Sequence, residues 1–273
     1  MTIQTKFTVS SLWLLLAWLG AAGVAVADEG FPGRTKFPKV STYSIAQLRD
    51  NLDQVVVVDA RSHYEYETLR IKGALNLPVA DKDFEQEVAK LRQQSNKPLV
   101  FYCNGRSCMK SYLAARKAKE ANIDDVHAYD AGIFEWVKTY PSESVLLNTS
   151  PVDPKQLISA ERFKSHLLDA NTFSDRATIG GKPAMVLDVR DKYQRAGVGF
   201  YPGKERWVSL DQREKLQRYI QKAARSNKTL FIYDEVGKQV RWLQYALEKE
   251  GVKDYYFMHK GAHGYYETLA ELN

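Results

Sequence analysis

Pro98-Leu-Val-Phe-Tyr-Cys103-Asn-Gly-Arg-Ser-Cys-Met-Lys-Ser111-Tyr-Leu-Ala-Ala-Arg116 is the stretch on which the reading of this chain turns. Leu99 to Tyr102 is apolar, β-rich and strand-length, whereas Tyr112, Leu113 and Ala118 recur at helical spacing. Between them lies a short polar loop, so Cys103 stands where a strand ends and a helix begins. Backbone N–H groups in a loop entering a helix have no helical partners and converge on whatever lies before them, which favours an anion. With Arg106 and Lys110 close by, the Cys103 thiol is expected to ionise below the free value of about 8.5 and act as a nucleophile. The flanking Asn104, Gly105, Arg106 and Ser107 are polar or small and argue against burial.

Working outward, Gln54 to Ala60 is a second strand, continuous in Val and therefore suited to a parallel sheet covered on both faces. Asp59 closes it, and ligands of open α/β sheets bind beyond the carboxyl ends of the strands, so Asp59 and Cys103 are expected on one rim. Asp59 is a candidate for supporting the loop, and Arg61 for pairing with it, with Glu65, at the turn. Ser44 is a natural N-cap for a helix carrying Leu48 and Leu52, and Phe84, Val88 and Leu91 mark a surface helix within 80–94. Asn122 suits a helix C-cap, Val126 to Tyr129 a further strand, and Gly132 and Trp136 close the unit.

Prolines 141, 151 and 154 among Ser, Asn and Thr read as linker chemistry. A second copy follows. Ile158 to Phe163 parallels Tyr43 to Leu48, Ala184-Met-Val-Leu-Asp188-Val-Arg190 parallels Val55 to Arg61, and 246–261 parallels 117–132. An insertion around 169–182 is read as a glycine-rich loop. At the nucleophile the copies diverge: Tyr233 aligns with Tyr102, and Asp234 with Cys103. Asp234 offers no thiol nucleophile, and with Glu235 it repels anions, so the second copy is expected to be catalytically silent. The domains are therefore 1–27 as a leader, 28–40 as an extended lead-in, 41–142 and 155–273 as the two α/β units, and 143–154 as the linker.

The leader reading rests on Lys6, the apolar run Leu12 to Val26 and the small-x-small site Ala25-Val-Ala27 before Asp28, a secretory pattern cut after Ala27. It implies a periplasmic or secreted protein that meets the membrane only during export. The chain carries 39 Lys and Arg against 33 Asp and Glu, a net charge of +6, with no basic block or zinc pattern, so nucleic-acid binding has little support. A weak positive field helps an anionic substrate reach its site. Both cysteines, Cys103 and Cys108, lie in one loop, and Cys-x4-Cys can curl enough for a disulfide that would block Cys103.

The chain resembles the rhodanese family of sulfurtransferases. The resemblance is carried by Val55-Val-Val-Val-Asp59-Ala-Arg61, Ile71-Lys-Gly-Ala-Leu-Asn-Leu-Pro78, the cysteine loop in a Cys-Asn-Gly-x-x-Cys form, and Tyr129-Asp-Ala-Gly132-Ile-Phe-Glu-Trp136, four motifs in order. It implies two tandem α/β domains, each a mostly parallel open sheet with helices on both faces. It also implies ping-pong transfer: Cys103 attacks the outer sulfur of an anionic donor such as thiosulfate, sulfite leaves, and a Cys103 persulfide awaits cyanide, a thiol or a partner protein. Asn104, Gly105, Arg106, Ser107, Cys108 and Lys110 would bind the donor, their amides acting as an oxyanion hole does. No metal or organic cofactor is called for. Two alternatives use the same residues: a thiol–disulfide protein working through Cys103 and Cys108, and a non-catalytic rhodanese-like binding module. A Cys-x5-Arg phosphatase is disfavoured because position 109 is Met.

Overall fold

The computed structural model describes residues 30–271 apart from 180, 182 and 227, so the leader read at 1–27 lies outside the described residues. The strands, in chain order, are β1 Thr42–Tyr43, β2 Val56–Asp59, β3 Leu69–Ile71, β4 Leu75–Asn76, β5 Leu99–Tyr102, β6 Val126–Tyr129, β7 Ser144–Leu146, β8 Leu167–Leu168, β9 Ala184–Asp188, β10 Glu205–Trp207, β11 Thr229–Tyr233 and β12 Tyr255–Met258.

Two five-stranded parallel sheets are built from them, in the order β1-β6-β5-β2-β4 and, read in the same sense, β8-β12-β11-β9-β10. The two orders are the same. In the first sheet Val57, Val100 and Tyr102 face one apolar cluster while Val58, Leu99 and Phe101 face another, which explains strands without polar alternation. The second sheet repeats this, with Leu187 and Ile232 on one side and Val186, Phe231 and Tyr233 on the other. Helices cover both faces, as expected of the α/β class.

Local chemistry sets the helix starts. Ser44 caps Ile45–Asp50 with a full capping box closed by Gln47, and Ser62 does the same for His63–Thr68 with Glu65. Asn122 adopts a left-handed φ of 59° just past Lys110–Glu120.

Four expectations are corrected. The lead-in 28–40 is not extended throughout: Pro32–Lys36 is a helix opened by proline, its Gly33 lies so close that a Cβ would meet Tyr112 Cε2 at 2.1 Å, and Arg34 pairs with Asp130 at 2.8 Å. The linker 143–154 is not free, because β7 pairs antiparallel with β3 and so belongs to the first unit.

The insertion around 169–182 is not a loop either. Asp169 caps the helix Ala170–Thr178, which buries Phe173 and Ala177. Finally, the counterpart of β1 and its helix is not Ile158 to Phe163 but β8 with that Asp169-capped helix, since β8 pairs with β12 as β1 pairs with β6. Ser159 caps an additional short helix, Ala160–Lys164. Two capping signals of one type stood in succession, and only strand pairing distinguishes them.

The units meet through an apolar contact. Trp242 and Tyr245 of the second unit belong to the same core cluster as Val57, Tyr102 and Trp136, and Phe134 stacks on Trp242 at 5.2 Å.

Candidate functional site

In the first sheet Asp59 is level with Tyr102, and Tyr102 with Tyr129, so the carboxyl ends of three neighbouring strands form one rim. Cys103 leaves that rim directly from β5. Its carbonyl accepts from Ile133 N at 2.9 Å, and that of Asn104 from Phe134 N at 3.4 Å, so the start of the helix Gly132–Thr139 clamps the loop from behind. Gly132 permits this approach: at φ +73°, a Cβ there would sit 2.4 Å from Gly105 N.

Beyond the clamp the loop curls, with Cys108 N donating to Gly105 O at 2.8 Å. That turn brings the Cys108 carbonyl within 3.4 Å of Cys103 Sγ, and Ser111 Oγ lies 3.5 Å from the same sulfur. Both thiols are free, Cys103 fully buried and Cys108 half-buried. Burial pushes the Cys103 thiol well up, reinforced by the hydrogen bond it gives to Cys108. Receiving that hydrogen bond brings Cys108 down to about 6 against its own partial burial, helped by the backbone N–H groups of Lys110 and Asn104 and by the Lys110 charge. The two thiols are thus driven in opposite directions, Cys103 toward keeping its proton and Cys108 toward losing it.

This corrects the expectation that Cys103 is the exposed, acidic thiol. The polar flanks face outward while β5 carries the cysteine into the rim. The donated amides end at the Cys108 sulfur.

Around the loop, Arg61 is wholly buried and holds Asp59 with Nε at 2.9 Å and Nη2 at 2.6 Å, the Leu69 carbonyl at 2.6 Å, and Asn104 Oδ1 at 3.2 Å. Asn104 Nδ2 donates to Glu65 Oε1 at 3.0 Å, and Lys110 Nζ lies 3.3 Å from Glu65 Oε2. Burial opposes the Glu65 charge, yet Arg61, Lys110 and Asn104 together hold its carboxyl at about 2. Asp59 thus supports the loop through Arg61 rather than by touching it.

Arg106 departs from its expected role of binding the donor: it pairs with Glu135 and lies 4.6 Å over the Phe31 ring, while Lys110, itself paired with Glu65, is the loop cation whose charge acts on Cys108. Ser107 is exposed at the loop's outer edge, and Gly105 supplies the turn carbonyl.

Residues 44–139 match the family model of the rhodanese-like domain. They form a rhodanese-like domain. The match takes in the strand ending at Asp59, the cysteine loop and the clamping helix.

An HTH-type transcriptional regulator of Mycobacterium tuberculosis is 34% identical over 88 residues, covering 32% of this chain and 37% of the regulator. A tRNA uridine(34) hydroxylase of Salmonella newport is 30% identical over 133 residues, covering 47% of this chain and 37% of the hydroxylase. The chain thus spans less than half the length of these curated relatives. Among solved structures, a thiosulfate sulfurtransferase from Pseudomonas aeruginosa aligns with 85% of this chain and 43% of its own at 18% identity and a TM-score of 0.40.

Sequence reasoning missed three contributors to the rhodanese-like domain's site. Ser111 lies in the first turn of the helix Lys110–Glu120 and was read only as part of the stretch after the loop. Gln239 and Trp242 come from the second unit: Gln239 lies 3.4 Å from both Ser62 Oγ and Glu65 Oε2, and Trp242 lies 5.0 Å from the Arg61 guanidinium. No sequence signal links residues so far apart. A cleft of about 470 Å³ lies between the rims, lined among others by His63, Asp81, Lys110, Asp191, Glu235 and Lys238.

The equivalent loop in the second unit is closed on itself. Asp234 accepts from the backbone N–H groups of Val236 at 3.1 Å and Val240 at 3.1 Å, and also from Gly237 and Gln239. Burial raises this carboxyl while those amides oppose it. The surroundings repeat the first unit: Asp188 holds Arg190, Ala262 N donates to the Asp234 carbonyl at 2.8 Å, and Gly261 stands where Gly132 does.

Proposed function

We propose that this protein is an exported sulfurtransferase that moves sulfane sulfur from a small anionic donor such as thiosulfate to a thiophilic acceptor through a Cys103 persulfide. The observation that carries the reading is the cysteine loop of a rhodanese-like domain, clamped at the strand rim with Cys103 Sγ held between the Cys108 carbonyl and Ser111 Oγ. Cys103 keeps its proton until the donor arrives; as its sulfur attacks the outer sulfur of thiosulfate, the proton passes to the Cys108 thiolate and sulfite leaves. Lys110 offsets the charge of donor and persulfide, and Ser111 Oγ is within reach of the Cys103 sulfur as a donor.

The second unit supports the reading by contrast. Its amide cradle is filled by the Asp234 carboxylate, which leaves no room for a sulfur anion, so its role is to brace the first unit. The apolar run Leu12 to Val26 ahead of Ala25-Val-Ala27 supports export to the periplasm or beyond. Cyanide, a small thiol and a partner protein's thiol are all chemically competent acceptors.

Intact mass before and after thiosulfate, with sulfite assayed in parallel, tests the proposal. The expected result is release of sulfite with the added sulfur first on Cys103, and neither event in Cys103→Ser. Sulfite release that survives in Cys103→Ser and disappears in Cys108→Ser would reverse the assignment.

A further inference from the structure

We propose that Cys108 is also the resolving thiol of the loop, which attacks the Cys103 persulfide and discharges the transferred sulfur as hydrosulfide, leaving a Cys103–Cys108 disulfide. This rests on the sulfurtransferase reading and names how the sulfur leaves.

Three independent features place the sulfur's exit at Cys108. First, access is divided: the Cys103 side chain is fully buried, whereas Cys108 is only partly buried, so an acceptor too large to enter meets Cys108 first. Second, the loop is already curled. The turn closed by Cys108 N on Gly105 O folds Cys108 back over Cys103, setting the Cys108 carbonyl 3.4 Å from Cys103 Sγ, and both thiols are free in the structure. Third, the amides of Asn104 and Lys110 and the Lys110 ammonium face the Cys108 sulfur, as a nucleophilic thiolate requires. The second unit has no counterpart to this pair, with Asp234 filling its loop.

The chemistry balances. After sulfite has left, the loop holds Cys103–S–S⁻ and Cys108–SH. The Cys108 proton passes to the outer persulfide sulfur and the Cys108 sulfur bonds to Cys103 Sγ. The bond between Cys103 Sγ and the outer sulfur breaks, and that sulfur leaves as HS⁻. The sulfane sulfur is reduced by the two electrons that the dithiol loses. A dithiol reductant, acting by thiol–disulfide exchange, then returns both cysteines to the free state. Acceptor thiols and the resolving thiol therefore compete for one persulfide; the acceptor concentration sets how it divides, and the reductant sets how often the resolving route turns over.

The test uses the full chain, reduced and then freed of reductant, exposed to thiosulfate while sulfide, sulfite and intact mass are followed. Expected are one sulfite and one sulfide per chain, a final mass two hydrogens below the reduced protein, a Cys103–Cys108 peptide on mapping, and no further turnover until dithiothreitol is added. Cys108→Ser, loaded at alkaline pH where Cys103 ionises unaided, should keep the extra sulfur and release no sulfide. A wild-type chain that releases sulfite, keeps the extra sulfur and yields no sulfide overturns the resolving role and leaves the sulfurtransferase reading standing. Absence of sulfite from both proteins overturns both.

Discussion

Two sulfurs in one loop are made chemically different by a few ångströms of placement. Burial by its strand favours the protonated form of Cys103, whereas the loop's amides favour the thiolate at Cys108. A lowered value means that the thiolate persists down to about pH 6 and is lost by protonation below it. The rate of alkylation by iodoacetamide, resolved by peptide mapping, should therefore rise through about pH 6 at Cys108 and stay slow at Cys103. A single titration near the ordinary thiol range at both positions would contradict this inequality. The reactive loop itself was legible from Cys103, Arg106 and Lys110. Which sulfur carries the charge was not, because burial and the engagement of Arg106 by Glu135 depend on side chains from elsewhere in the fold.

Strand, loop and clamping helix act as one device, and its tolerance is set at glycines. Gly132 combines φ +73° with a contact that leaves no room for a Cβ against Gly105 N, and Gly261 makes the corresponding approach to Asp234. Gly132→Ala should cost about 1–3 kcal/mol of stability and lower sulfite release from thiosulfate severalfold. Gly261→Ala should cost a similar amount in thermal denaturation while sulfite release at a temperature well below the transition stays near wild type. Equal loss of activity in both would mean that the loop responds to global stability rather than to its own clamp. Most elements were readable from strand-length apolar runs, caps and breakers; Leu99 to Tyr102 and Val126 to Tyr129 match their strands residue for residue. The Asp169-capped helix was not, since its polar sequence and glycine-rich end conceal Phe173 and Ala177, which become a core face only against the second sheet.

The molecule as a whole packs the unit whose loop carries Asp234 against the unit whose loop carries Cys103. Trp242 is buried in the core cluster of the first unit, stacks on Phe134 and covers Arg61, while Gln239 reaches Glu65. Removing that ring empties a site shared by both units. Trp242→Ala should cost about 3–5 kcal/mol and slow sulfite release, because Arg61 loses the cover that fixes its grip on Asn104. Calorimetry should show both units melting earlier; a change confined to the second unit would remove its bracing role. The sequence by itself determined the α/β class, the repeat and the chemical identity of the loop, because periodicity, capping and nucleophile type are properties of neighbouring residues. Only the tertiary structure decided which thiol is the anion, which cation faces it and why the second unit stays attached, because those depend on burial and on contacts between residues far apart along the chain.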